Sequence, residues 1–293
     1  MKRLEISELI FKIFAYLFLT VFAIFCLYPF VYAISASISS IDALRTGKVV
    51  LWPVEVQFDA FIYVLKQKSF WTCYANTLFV TFYGTIWALV VSIAGAYALS
   101  KKRLLFRRGF NFLLSFTMWF TAGLIPTWLN YKATQTIFRG IGIMDDKWLI
   151  VIAMGMNAFN VLLLRNAFEG VPSEIEEASI VDGASEFQIL TRVFVPMSKS
   201  AIATVGLFFG ISRWNGYFWA RKMIGNSTEW PLQVYIRDTL EQFNTTETQP
   251  FTNFSADSVI YSMIICAIIP ILIIYPYIQK YFAKGVNLGG VKE

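Results

Sequence analysis

The sequence predicts an all-α membrane protein with six transmembrane helices, and three observations carry that prediction. Of 293 residues, 57% are hydrophobic and 17% aromatic, while only 15% are charged, a composition far from that of a soluble domain. Apolar stretches of roughly 17 to 25 residues, the length a helix needs to cross about 30 Å of hydrocarbon, recur six times along the chain. The basic residues gather in connections between these stretches, which is the pattern that orients helices in a bilayer. The net charge of +6 therefore speaks for membrane orientation and not for nucleic acid.

The first apolar stretch, about residues 13–36, follows a basic start. It is about twice the roughly 7 to 15 residues of a signal-peptide core, so it reads as a retained span. Spans two and three are expected at about 76–99 and 108–130, the latter interrupted by Pro126, and spans four to six at about 148–168, 201–219 and 258–282. Helices are required because lipid offers no partner to a free backbone N–H or C=O. Together they form one transmembrane domain over 1–293. Lys101, Lys102, Arg103, Arg107 and Arg108 in the connection after span two, with Lys280, Lys284 and Lys292 near the C-terminus and Lys2 and Arg3 at the start, place those segments and both termini in the cytoplasm. Residues 37–75 and 222–257 then form long outer loops.

Residues 172–196, between spans four and five, stand apart. They carry Glu174, Glu176, Glu177, Asp182 and Glu186, five of the nineteen acids, on a face otherwise marked by cations. Pro172-Ser173 with Glu176 reads as a helix start with a capping box. Asp182-Gly183 supplies a turn, the glycine being free to take positive φ. Ser185 with Gln188 repeats the capping pattern, and Pro196 is expected to stop the second helix. On the first helix Ile175, Ala178 and Ser179 share one face, with Glu174 and Glu177 towards the other. A bent pair of short helices with a small apolar ridge and unpaired acids calls for a docking partner.

Several chemistries are excluded. The chain has no histidine, which removes Ser-His triads, His acid–base catalysis and the commonest metal ligand. Cys26, Cys73 and Cys266 have no paired spacing for a disulfide or zinc knuckle. No G-x-x-x-x-G-K-[ST] phosphate loop occurs, so the chain is not an ATPase. None of the acids falls inside a span, which argues against an ion-coupled secondary transporter and against a membrane enzyme.

The spacing Glu177-Ala178-Ser179, Gly183, then Val193 and Val195-Pro196 resembles the EAA motif of ABC importer permeases, E-A-A, three residues, G, nine residues, I-x-L-P. Ser replaces the third Ala, and Val replaces Ile and Leu. "RNAFEGVPSEIEEASIVDGAS", "RWNGYFWARKMI" and "YPYIQKYFAKGVNLGGVKE" are similar to the sugar-uptake branch, in particular to the second permease of oligosaccharide importers, including the smaller permease of alginate-oligosaccharide importers. The resemblance implies a type I importer fold in a bacterial inner membrane. It also implies a second permease forming a heterodimer with this one, two ATPase subunits that hold ATP and Mg, an external solute-binding protein, and no cofactor in this chain. It casts residues 172–196 as the coupling helix seated on an ATPase, with Glu174, Glu177, Ala178, Ser179, Asp182, Gly183 and Pro196 as its contact and shape-giving residues.

Polar residues inside the spans are the candidates for a substrate pathway: Asn157 and Asn160 in span four, and Arg213, Trp214 and Asn215 in span five. An intramembrane Arg is costly unless it meets a cavity or a partner, though Arg213 could also snorkel to the outer interface. A guanidinium and an overall basic charge suit an acidic, alginate-like oligosaccharide; a neutral oligosaccharide is the alternative. Gly206 and Gly210 form a G-x-x-x-G that packs either within this subunit or against the partner permease.

Overall fold

The computed structural model describes residues 6–245 and 254–285. Lys2, Arg3, Lys292 and residues 246–253 lie outside the described residues. Every described element is helical: α1 (Ile6–Ser37), α2 (Ile41–Arg45), α3 (Asp59–Lys66), α4 (Lys68–Ser100), α5 (Arg107–Trp119), α6 (Leu124–Gly140), α7 (Lys147–Ala153), α8 (Ala158–Glu169), α9 (Ser173–Val181), α10 (Glu186–Ile189), α11 (Val195–Met197), α12 (Lys199–Trp214), α13 (Phe218–Met223), α14 (Leu232–Thr245) and α15 (Ala256–Gly285). A π turn, Leu190–Phe194, joins α10 to α11, and a short 3₁₀ turn, Ser227–Glu229, precedes α14.

Three helical stretches, Glu8–Ser37, Lys68–Ser100 and Ala256–Pro276, are each long and apolar enough to cross a membrane, and counting three bent pairs as one span each brings the number to six. The bends depart from the sequence reading in instructive ways. Span three, expected over 108–130, folds as α5 and α6 at 114°, and the break lies before Pro126, where Gly123 takes φ 83°. Pro126 sits in the first turn of α6, where its missing N–H has no intrahelical partner to lose. Span four bends by 45° between α7 and α8. Span five, expected over 201–219, is the helix Lys199–Trp214, which ends at Asn215; Glu186–Met197 meets it at 86°.

The chain divides into two compact units, Met1–Phe70 with Ile236–Ile269 and Trp71–Tyr235 with Pro270–Glu293. In the first, α1 is apolar all round and its membrane-length stretch is unburied, as suits a helix facing lipid or another subunit. Its last turns are small and buried, with Ala33, Ser35, Ala36 and Ser37. There Tyr32 meets Tyr261 edge to face at 5.7 Å and the Ser262 hydroxyl donates to the Ser37 carbonyl at 3.5 Å.

In the second unit α4 is the central helix. Ala88, Ala96 and Tyr97 from α4, Val161, Leu164 and Phe168 from α8, Ile189 and Phe194 from the segment after α9, and Val205 and Phe209 from α12 make one buried cluster. Gly206 lets α12 approach α4 closely: a Cβ there would meet Leu89 Cδ1 at 3.3 Å, and one at Gly210 would meet Thr85 Oγ1 at 3.8 Å. The G-x-x-x-G therefore packs within the subunit. A second cluster of Val80, Leu149, Ile150, Met223 and Val234 closes the other end of this unit.

Candidate functional site

The first half of the segment 172–196 stands off the unit that carries it, while Ile189 and Phe194 further along are buried in its core. No residue of α9 is buried. Glu174, Glu177, Ala178 and Asp182 are exposed and Ser179 is half-buried, the Ser179 hydroxyl donating to the Ile175 carbonyl at 2.8 Å. Apolar Val181 is 86% exposed and Phe187 73%, so an uncovered ridge runs beside these acids. Gly183 takes φ 78° with open space around it, and the chain turns there as the Gly183 N–H donates to the Ile180 carbonyl and the Ala184 N–H to the Ser179 carbonyl, both at 3.0 Å.

Of the two capping boxes the sequence suggests, one forms. The Ser185 hydroxyl accepts from the Gln188 N–H at 3.3 Å while the Gln188 side chain accepts from the Ser185 N–H at 2.8 Å. At the first, Pro172 occupies the cap position and no side chain caps the helix. Glu176 has turned elsewhere, to Lys101 at 2.7 Å. Pro196 does not stop the second helix, which runs on through Met197 to Ser198. The π turn immediately before it widens the backbone ahead of a residue that has no N–H to donate and whose ring crowds the carbonyl four residues back.

The acids of this region are not all unpaired. Lys101 holds Glu176, Arg103 pairs with Glu186, and Arg107 pairs with Glu169, which Arg165 also meets at 3.4 Å. The Tyr97 hydroxyl donates to Glu186 Oε2 at 2.7 Å. Cations at the α4–α5 connection and the start of α5 thus pair with Glu176, Glu186 and Glu169, while Glu174, Glu177 and Asp182, the acids expected to meet a partner, point outward.

Three of the five pathway candidates, Asn157, Asn160 and Arg213, meet at the bend of span four. Asn157 caps α8, its side chain accepting from the Asn160 N–H at 3.2 Å, and is exposed, whereas Asn160 is buried. A break in a helix frees carbonyls, and in lipid each needs a donor. Arg213 supplies one, its guanidinium donating to the Met154 carbonyl, while the Trp87 Nε1–H adds a bond at 3.3 Å to the Ile152 carbonyl, which already accepts from the Gly155 N–H at 3.1 Å. Arg213 is only 5% exposed and does not snorkel. Gly84 makes room for it, since a Cβ there would stand 3.0 Å from Arg213 Nε, and Gly155 does the same for Trp87 at 2.5 Å. The Arg213 Nε itself has no partner. Trp214 is buried edge-on to Tyr74 at 6.0 Å, and Asn215 ends α12 exposed. Gly84, Trp87 and Gly155 were missed by sequence reasoning; the signal available was a glycine inside the apolar run of span four, just before a capping Asn.

An apolar groove of about 300 Å³, lined by Thr81, Gly206, Gly210, Trp214, Pro270 and Tyr275 among others, offers almost no hydrogen-bond partners and is a poor match to a sugar.

Comparisons with known proteins fit this geometry. A polygalacturonan/rhamnogalacturonan transport system permease protein of Bacillus subtilis, YtcP, is 33% identical over 288 residues, 97% of this chain and 98% of its own. A diacetylchitobiose uptake system permease protein of Streptomyces coelicolor, DasC, is 27% identical over 251 residues, 83% of each. A chain in the crystal structure of a bacterial ABC transporter involved in import of the acidic polysaccharide alginate superposes with a TM-score of 0.85 at 43% identity, covering 96% of this chain and 100% of that one. With the family model for the binding-protein-dependent transport system inner membrane component matching residues 2–288, the chain belongs to that family, as an all-helical carbohydrate permease of an ABC importer and not its ATPase.

Proposed function

We propose that this permease imports acidic oligosaccharides of the alginate or polygalacturonate kind. In this reading it pairs with a second, different permease, two ATPase subunits and an external solute-binding protein, with both termini in the cytoplasm. The observation that carries the substrate class is the 43% identity, over nearly the whole chain, to a subunit of an alginate importer. The 33%-identical relative named for polygalacturonan adds a second acidic polymer.

Residues 172–196 are the coupling segment. The support is their build: a ridge of Ile180, Val181 and Phe187 left uncovered beside Glu174, Glu177 and Asp182, with Gly183 setting the bend and Pro196 lying at the far end. The sugar pathway runs past the bend in span four, because irregular backbone at membrane depth is tolerated only where protein buries it or water lines it. Asn157, Asn160 and Arg213 lie at that bend, Trp214 and Asn215 follow Arg213 at the end of α12, and the free Nε of Arg213 leaves it a donor for a sugar carboxylate.

Uptake into proteoliposomes holding the purified complex and its binding protein tests both parts, with an alginate pentasaccharide against a neutral maltopentaose. The native complex should favour the acidic sugar. Arg213→Lys, which keeps the charge but loses the planar fork, should cut alginate uptake about tenfold, a loss of ~1.4 kcal/mol, and leave the neutral sugar less affected. Equal losses for both sugars would confine Arg213 to holding Met154 and pass the substrate role to Asn157 and Asn215.

A further inference from the structure

The placement of Lys101 asks for an explanation. It is only 8% exposed although it lies at the very end of α4. Its ammonium is sandwiched between two aromatic faces, 4.1 Å from the centre of the Tyr97 ring and 4.0 Å from that of Phe194. It meets Glu176 Oε1 at 2.7 Å without a well-angled hydrogen bond, so the attraction is ionic. Burial pushes the lysine pKa down and Glu176 pulls it back up, which marks the carboxylate as what keeps the buried charge in place. Tyr97 belongs to α4 and Phe194 to the π turn, so the cage is closed from two elements.

α9, by contrast, is held by little. None of its residues is buried, and among the described residues Glu176 to Lys101 is the one side-chain polar contact from α9 to another element. Arg103–Glu186 nearby is a different kind of pair: its side chains are 58% and 51% exposed, where water screens the attraction.

We propose that Lys101, caged by Tyr97 and Phe194 and paired with Glu176, is the positioning residue that makes α9 move as one piece with the end of α4. The inference rests on the coupling role proposed for residues 172–196 and adds the route by which motion there enters the transmembrane bundle: along α4, which carries Trp87 and Gly84 at the span-four bend. Pulling Glu176 away would leave the buried Lys101 ammonium with the two ring faces and no counter-charge, a cost that resists separation of α9 from α4.

The test is the ratio of alginate pentasaccharide imported to ATP hydrolysed by the reconstituted complex, with assembly checked by co-purification. Lys101→Met keeps the stem between the rings and removes the charge. It should assemble and hydrolyse ATP within about twofold of native, while import per ATP falls at least about fivefold, the lower end of typical coupling between sites. Glu176→Gln should act in the same direction, Lys101→Arg should recover at least half of the loss, and Arg103→Ala should leave the ratio unchanged. A native ratio in Lys101→Met overturns the proposal, as does an equal fall in Arg103→Ala. If Lys101→Met fails to assemble, Glu176→Gln decides: a native ratio there also overturns it. A native complex that hydrolyses ATP yet imports neither sugar would instead remove the proposed function, and this inference with it.

Discussion

Two charged regions of the second unit are built on opposite plans. Where the α4–α5 connection meets α9 and α10, the cations come from one segment and the acids from another: Lys101 to Glu176, Arg103 to Glu186. Around the α6–α7 connection, charges of both signs crowd into one short stretch. Arg139 pairs with Asp146 at 3.2 Å and Lys147 with Asp145 at 3.1 Å. The Asp146 N–H donates to Glu229 at 2.8 Å, and the Gln135 side chain donates to both Asp146 and the Met223 carbonyl. Lys147 reaches Asn76, which itself donates to the carbonyls of Thr228 and Trp230. The second region is knitted through side chains and backbone together and holds its segments in one arrangement. The first fastens one segment to another, through the Lys101–Glu176 and Arg103–Glu186 pairs and the Tyr97 hydroxyl 3.4 Å from the Glu186 carbonyl, so that the α9–α10 segment is tied to the end of α4.

If that contrast reflects two sides of a membrane, it can be broken outright. In a background with Cys26, Cys73 and Cys266 replaced, single cysteines at Arg103 and Asn244 should react with a membrane-impermeant reagent from opposite sides of inverted and right-side-out vesicles. Labelling from the same side would end the six-span reading and the comparison with it.

Next in size is Gly183. Its φ of 78° lies where an L side chain is strained by ~1–2 kcal/mol, and since a Cβ there meets nothing within 4 Å, backbone strain is the whole effect. Gly183→Val should reduce substrate-stimulated ATP hydrolysis by the complex about tenfold, the consequence of ~1.4 kcal/mol. Gly183→Asn, a residue that enters the left-handed region more readily, should keep most of it. Normal stimulation in the valine variant would detach the bend from coupling.

The smallest effect sharpens the comparison through pH. Burial, a side-chain hydrogen bond with Asp145 and the nearby Asp145 and Asp146 charges raise the Glu229 pKa, against the Asp146 N–H, which lowers it. A carboxyl whose folded-state pKa is raised binds more protons folded than unfolded, so its stabilisation is present below the ordinary glutamate value and is lost as pH rises through the raised one. Lys101, whose folded pKa is lowered, works in the opposite sense: stability grows as pH rises through its lowered pKa towards the ordinary lysine value. Thermal melts from pH 4 to pH 7 should therefore show a fall in midpoint, relative to Glu229→Gln, just above the ordinary glutamate range. Parallel curves for the two proteins would show that the crowded acids impose no such cost.

Local rules were legible where they act over a few residues. The Ser185–Gln188 capping box lies three positions apart, and the turn at Gly183 needs only the absence of a side chain, so both could be read off directly. Ser173–Glu176 has the same local pattern and does not form, because Pro172 takes the cap position and Lys101, some 75 positions earlier in the chain, draws the Glu176 carboxylate to its buried ammonium. Pro126 was read as the break in span three, yet a proline in a first turn is harmless, and the turn is made at Gly123. Arg213 was seen as costly, but its partner was invisible: the carbonyl of Met154 needs a donor only because α7 and α8 part there.

What the amino-acid sequence determined by itself is the architecture and the kind of protein. Hydrocarbon admits only structures that satisfy their own backbone, and continuous apolar runs of about 20 residues suit helices and not the short alternating strands of a barrel, so composition and run length dictate an all-helical chain, and the E-A-S, Gly183, Val-Pro196 spacing points to a permease. Only the tertiary structure decided which charges meet. Ion pairs and carbonyl donors depend on the positions of side-chain tips several ångströms from the backbone, where no periodicity along the chain is felt. Lys101 between two rings, Arg213 over Gly84 and Glu229 among aspartates are therefore facts of packing.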